Sequence, residues 1–225
     1  MCTSSTSNTS STAVVSSHAR TLRMVETGLL LAIATVLSVI QPYQLPFGGG
    51  ITVASMLPIV LISYRHGVKW GLFSGFIYSL LQMAMGFGTV KSFFVPEDYA
   101  IWAGIGIVLM DYVIAYTVLG FGGIFRNQLK AAPALCLGTV IALLFRYIVH
   151  IISGAVFFGA WAEWFFTQDG FYSVGAKIVE NFSGAGLAVI YSVFYNGLYM
   201  IPEIIVTVLV AYVVSKVPAI AKKMN

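Results

Sequence analysis

Residues 131–159, AAPALCLGTVIALLFRYIVHIISGAVFFG, decide how this chain is read. The run is apolar almost throughout and exceeds the roughly 20 residues needed to cross the hydrocarbon core of a bilayer. Two ionisable side chains, Arg146 and His150, nevertheless stand in its second half. A charge within hydrocarbon costs at least a few kcal/mol, so it must face a protein interior, a partner residue or a ligand. Four positions apart, the two share one face of a helix. Gly154 continues that face and permits close approach of a ligand or a neighbouring helix.

Outward from this run, further apolar segments at 22–41, 52–64, 68–88, 99–122 and 185–215 complete six candidate spans. The reading is an all-α integral membrane protein with six transmembrane helices; the second span is short and the last two are long. Composition agrees. The 225 residues are 59% hydrophobic and 9% charged, where a soluble domain carries about 25% charged residues. One membrane domain with short loops fills this length, leaving no room for a separate nucleotide-hydrolysing domain. Residues 1–20, rich in Ser and Thr, lack the apolar core of a signal peptide and read as a disordered cytoplasmic tail. The six-helix membrane domain is 21–217, followed by a short basic tail at 218–225.

Basic residues set the orientation. Arg20, Arg23, Arg65, Lys69, Arg126, Lys130, Lys216, Lys222 and Lys223 fall on one side of the spans, and only Lys91 and Lys177 on the other. By the positive-inside rule both termini are cytoplasmic. The net charge of +4 is then a matter of topology and does not point to nucleic acid. The opposite face carries 42–51, broken by Pro42, Pro46 and Gly48–Gly50, together with 89–98 and 160–184. The last is aromatic, with Trp161 and Trp164, and reads as an interfacial belt or a lid over a pocket.

Motifs for other chemistries are missing. Cys2 and Cys136 are too far apart to suggest a disulfide framework or a metal site. The three histidines, His18, His66 and His150, form no HExxH pattern, so neither metal nor cofactor is expected. Residues 86–92, GFGTVKS, lack the glycine that a phosphate loop needs before its lysine. What remains is a set of polar side chains inside spans: Asp111 and Tyr112 in the fourth, Arg146 and His150 in the fifth, Tyr191, Asn196 and Glu203 in the last. Arg146 paired with Asp111 or Glu203, and Asn196 and Tyr191 as interhelical glue, would be the structural explanation. As a group, carboxylate, imidazole, carboxamide and phenol on three helices suit a small polar ligand with aromatic character. Asp111 would attract a cation, aided by aromatic faces.

At these residues the chain resembles the thiamine-specific substrate-binding (S) components of energy-coupling factor (ECF) vitamin transporters. The resemblance runs over about 24–215. It is carried by LPFGGGITVASMLPIVLISYRHGVKWG at 45–71, MDYVIAYTVLGFGGIF at 110–125, RYIVHIISGAVFF at 146–158 and YSVFYNGLYMIPE at 191–203. It implies a vitamin site made of Asp111, Tyr112, His150, Gly154, Tyr191 and Asn196, with the basic Arg146 one turn before His150. The family's stacking Trp falls at Phe158 here, with Trp161 three positions on, so both are candidates for that ring. The resemblance also implies a cell-membrane protein without enzymatic activity. It would dock through small residues of its first helix, here Gly28 and Ala32, onto a transmembrane coupling protein and two cytoplasmic ATPases. The alternatives are an S component for another vitamin or a thiamine precursor, an independent secondary transporter, and a membrane enzyme using Asp111, His150 and Glu203 as acid and base.

Overall fold

The computed structural model of the protein describes residues 7–45, 49–95 and 100–221. Cys2, Pro46, Gly48, Lys222 and Lys223 lie outside the described residues. Helix α1 (Ser7–Val39) leads into a minimal hairpin of β1 (Tyr43–Gln44) and β2 (Gly50–Ile51), then α2 (Leu57–His66), α3 (Val68–Met85) and α4 (Phe87–Ser92). A composite rod from Ile101 to Gly123 follows. It consists of α5 (Ile101–Ile107), a π-helical turn (Val108–Ile114), α6 (Ala115–Thr117) and a 3₁₀ turn (Val118–Gly123). Helix α7 (Ala131–Phe157), a 3₁₀ turn (Gly159–Trp161), α8 (Ala162–Phe166), α9 (Tyr172–Asn181), α10 (Gly184–Val214) and α11 (Pro218–Ala221) complete the chain.

Among the described residues, four helical stretches are long and apolar enough to cross a bilayer: His18–Val39, Ile101–Gly123, Ala131–Phe157 and Gly184–Val214. Their outward faces are apolar and their polar groups point inward. Leu29, Trp102 and Leu209 are 62%, 68% and 62% exposed, whereas Glu203 is 0% exposed. That inversion of the soluble pattern is what lipid as solvent requires.

Helix α2 plays a different part. At ten residues it rises only about 15 Å, and every residue from Leu57 to Tyr64 is buried. It is enclosed by α1, α3, α7 and the 3₁₀ turn. The Ser63 hydroxyl stitches it to that turn, accepting the Gly123 N–H at 2.9 Å and donating to the Gly120 carbonyl. Gly67 closes the helix at φ 96°, a conformation that favours glycine, and so lets α3 begin at once.

One end of the molecule gathers basic side chains. Arg65 pairs with Glu26 and donates to the Ala219 and Ile220 carbonyls, both at 2.8 Å. Arg126 donates to the Tyr64 and Arg65 carbonyls at 2.8 and 3.0 Å, and the Arg23 guanidinium lies 4.1 Å over the Trp70 ring. The middle of α1, the end of α2, the start of α3 and α11 are thereby drawn together.

Several expectations need correction. The stretch 7–20, read as disordered, continues α1, because extending an existing helix costs far less than nucleating one. Residues 52–56 are not helical; the second helix begins only at Leu57, with Pro58 in its first turn, where the missing N–H does no harm. The loops also carry structure: two short strands in 42–51, the second part of α4 in 89–98 and two helices, α8 and α9, in 160–184.

Candidate functional site

At the end of the molecule away from the Arg65–Arg126 cluster, the helices part around a cavity of ≈ 610 Å³. Its lining comes from the last turn of α1, Gln41 and Gln44, residues 49–56, the end of α3, the region of α4, the π turn, Tyr116 of α6, the second half of α7 with Phe158, and the first half of α10. Asp111, Tyr112, Arg146, His150, Gly154, Phe158, Tyr191 and Asn196 all line it. Of the polar groups singled out in separate spans, all but Glu203 therefore converge on one space.

Their geometry forms a chain of contacts. Asp111 Oδ1 lies 2.8 Å from His150 Nδ1, and Arg146 Nε donates to His150 Nε2 at 3.1 Å. Arginine has no acceptor, so Nε2 is the bare nitrogen and the imidazole proton sits on Nδ1, donated to Asp111. Ser153, three positions after His150, donates to Asp111 Oδ2 at 2.8 Å. Both carboxylate oxygens are thus oriented by α7 while the side chain keeps 21% exposure.

Arg146 pairs with neither carboxylate directly. Its Nη1 reaches Met56 Sδ at 2.9 Å, and its guanidinium lies 4.2 Å from the centroid of the Tyr116 ring. An aromatic face and the imidazole offset the cost of keeping this charge inside the fold.

The π turn is what aims Asp111. A wide turn inside an α-helix shifts the register of everything beyond it, and such turns recur at functional sites. Here it presents Asp111 and Tyr112 together to the cavity. Opposite, α7 and α10 pack closely. Asn196 Nδ2 donates to the His150 carbonyl at 3.2 Å and to the Ser192 carbonyl at 2.9 Å, while the Tyr199 hydroxyl donates to Asn196 Oδ1 at 2.8 Å. Gly154 makes this approach possible: a Cβ there would collide with the Ser192 hydroxyl and stand 3.1 Å from Asn196 Nδ2.

Trp161 is not among the lining residues. The 3₁₀ turn carries it away from the cavity, 43% exposed and edge-on to Trp164 at 6.1 Å, while Phe158 lines the space itself. Phe165, Phe166 and Phe171 pack inward against one another, and Phe165 lies edge-on to Tyr191 and Tyr195. Gly28 and Ala32 lie on the exposed side of α1, away from the cavity. Sequence reasoning missed Met56, Tyr116, Ser153, Tyr195 and Tyr199, and the glutamines Gln41, Gln44 and Gln82 on the rim. Spacing offered a signal for some: Tyr195 and Tyr199 follow Tyr191 at helical intervals, and Ser153 follows His150 by three.

Comparison with known proteins agrees with this architecture. The family model described as "Thiamine transporter protein (Thia_YuaJ)" matches residues 24–174. The "Thiamine transporter ThiT" of Bacillus subtilis is 31% identical over 202 residues, covering 84% of this chain and 88% of that protein. Its namesake in Lacticaseibacillus paracasei is 25% identical over 162 residues, covering 64% and 72%. A solved structure of ThiT from Listeria monocytogenes superposes with a TM-score of 0.64 at 21% identity, over 90% of this chain and 98% of that one; it shares the fold.

Proposed function

This chain belongs to the thiamine transporter protein family and is a multi-pass cell-membrane protein, and from that premise we propose that it is the thiamine-binding S component of an ECF-type importer. The chain crosses the membrane six times with both termini in the cytoplasm. The cavity then opens outward, and the basic Arg65–Arg126 end lies inside. The observation that carries the reading is the Asp111–His150–Arg146 chain lining a cavity walled by aromatic rings.

Thiamine offers a permanent thiazolium charge and a flat aminopyrimidine with donors and acceptors. The cationic ring goes to the Asp111 end, where the carboxylate is already oriented by His150 and Ser153. Electron-rich atoms of the ligand face the Arg146 end. Phe158 and the tyrosines Tyr112, Tyr191 and Tyr195 supply ring faces, and cation–π attraction strengthens as water is excluded. Preorganised donors and acceptors cost the ligand little ordering, which favours tight binding. The protein holds the vitamin unchanged. Release to the cytoplasm is driven by a separate membrane coupling protein with two ATPases, docked on Gly28 and Ala32 of α1.

Calorimetric titration of the purified protein tests the assignment. Thiamine binds with sub-micromolar affinity and is recovered intact; silence at micromolar ligand defeats the proposal. Competition with isolated pyrimidine and thiazole fragments separates thiamine from its precursors and from other vitamins.

A further inference from the structure

We infer that Glu203 is a positioning residue for ligand binding. Without lining the cavity, its carboxyl group anchors the backbone of residues 49–56, which forms one wall of it. The ligand in this inference is that of the proposed function; the anchoring belongs to the empty protein.

Glu203 is fully buried in α10, and both of its oxygens are engaged by a residue 151 positions away. The Thr52 N–H donates to Oε2 at 2.5 Å and the Thr52 hydroxyl to Oε1 at 2.6 Å. Thr52 Oγ1 in turn accepts the Ser55 N–H at 3.2 Å and lies 2.8 Å from Ser55 Oγ. If α10 merely needed a polar contact here, an amide or hydroxyl would serve at lower cost within a membrane. A carboxylate differs in offering two acceptors side by side, which matches two donors on one residue.

The backbone it holds is not relaxed. Ala54 adopts φ 57°, a region that a residue with a Cβ occupies only where its surroundings impose it. What the anchor controls is the site. Thr52, Ser55 and Met56 line the cavity, and Met56 Sδ is the group on which Arg146 rests. Arg146 meets His150, and His150 meets Asp111. The carboxyl group of Glu203 thus acts on the ligand's charged partners through the wall.

The test uses the full chain in lipid nanodiscs, with Glu203→Gln and Thr52→Val. Glutamine keeps the shape but turns one acceptor into a donor aimed at Thr52. Two quantities are read: amide exchange of 49–56 without ligand, and the rate at which thiamine leaves after a chase. In Glu203→Gln, exchange at 49–56 rises at least tenfold while that of α7 and α10 holds, and thiamine leaves at least tenfold faster. Thr52→Val gives the same signature, and decides the matter if Glu203→Gln does not fold. The double variant is no worse than the more impaired single one, since the bond between the Thr52 hydroxyl and Oε1 is disrupted by either substitution. Wild-type exchange at 49–56 overturns the inference. So do faster exchange with unchanged release and full additivity of the two substitutions. A role in stability alone lowers Tm without speeding release, and also overturns it. If wild type binds no thiamine, the proposed function fails by itself, and exchange at 49–56 alone then decides the anchor.

Discussion

Asp111 is the carboxylate that lines the cavity, and its two bonds to α7 engage both of its oxygens. Removing its charge while keeping its shape leaves His150 Nδ1–H and Ser153 without a full acceptor. A hydrogen bond to a charged group is worth about 1.5–3 kcal/mol, so Asp111→Asn weakens thiamine binding by roughly 10–100-fold. Calorimetry reads the loss, with Lys130→Ala, exposed and remote, as the unaffected control. Gly154→Ala tests the seam beside it. The new methyl group meets Ser192 and Asn196, and overpacking of this kind costs about 1–3 kcal/mol; both the Tm in detergent and thiamine affinity fall. The question of the stacking ring is settled at the same scale. Phe158→Ala reduces affinity while Trp161→Ala leaves it unchanged, as titration of each variant will report.

The composite rod from Ile101 to Gly123 shows what an element contributes that its residues do not. A uniform α-helix through this stretch would place Asp111 about 100° per residue away from its present bearing for each position of register lost. Deleting Ile114, 42% exposed at the end of the π turn, narrows the turn. Helical content by circular dichroism is retained and thiamine binding is lost. This was also the feature least legible in the sequence. Hydropathy located the span and the polar pattern flagged Asp111 and Tyr112, but apolar periodicity carries no trace of one extra residue in a turn. The same limit explains Trp161. Spacing placed it three residues from Phe158, and only the 3₁₀ turn at Gly159–Trp161 decides that the two part company. By contrast, Arg146, His150 and Gly154 were legible because a long regular helix keeps residues four apart on one face. Met56 and Tyr116 were not: they reach Arg146 from elements distant in the chain, and no local pattern announces a tertiary contact.

For the whole molecule, the polar cavity lies at one end and the exposed side of α1 that carries Gly28 and Ala32 lies away from it, so the proposed binding and docking roles are expected to be separable. Replacing Gly28 and Ala32 with leucine fills the exposed side of α1, far from the cavity. Thiamine affinity is retained and ATP-driven uptake in proteoliposomes with the coupling complex is abolished; loss of affinity instead would show that α1 shapes the cavity. Finally, the brevity of α2 bears on how the protein is made. Ten residues, sheathed on every side by the rest of the fold, offer the translocation machinery too little hydrocarbon-seeking length to partition alone. The segment enters paired with its successor as a helical hairpin, so in a nascent chain arrested after His66 only α1 is held by the bilayer and α2 stays accessible to water, whereas in one extended through Met85 α2 is protected.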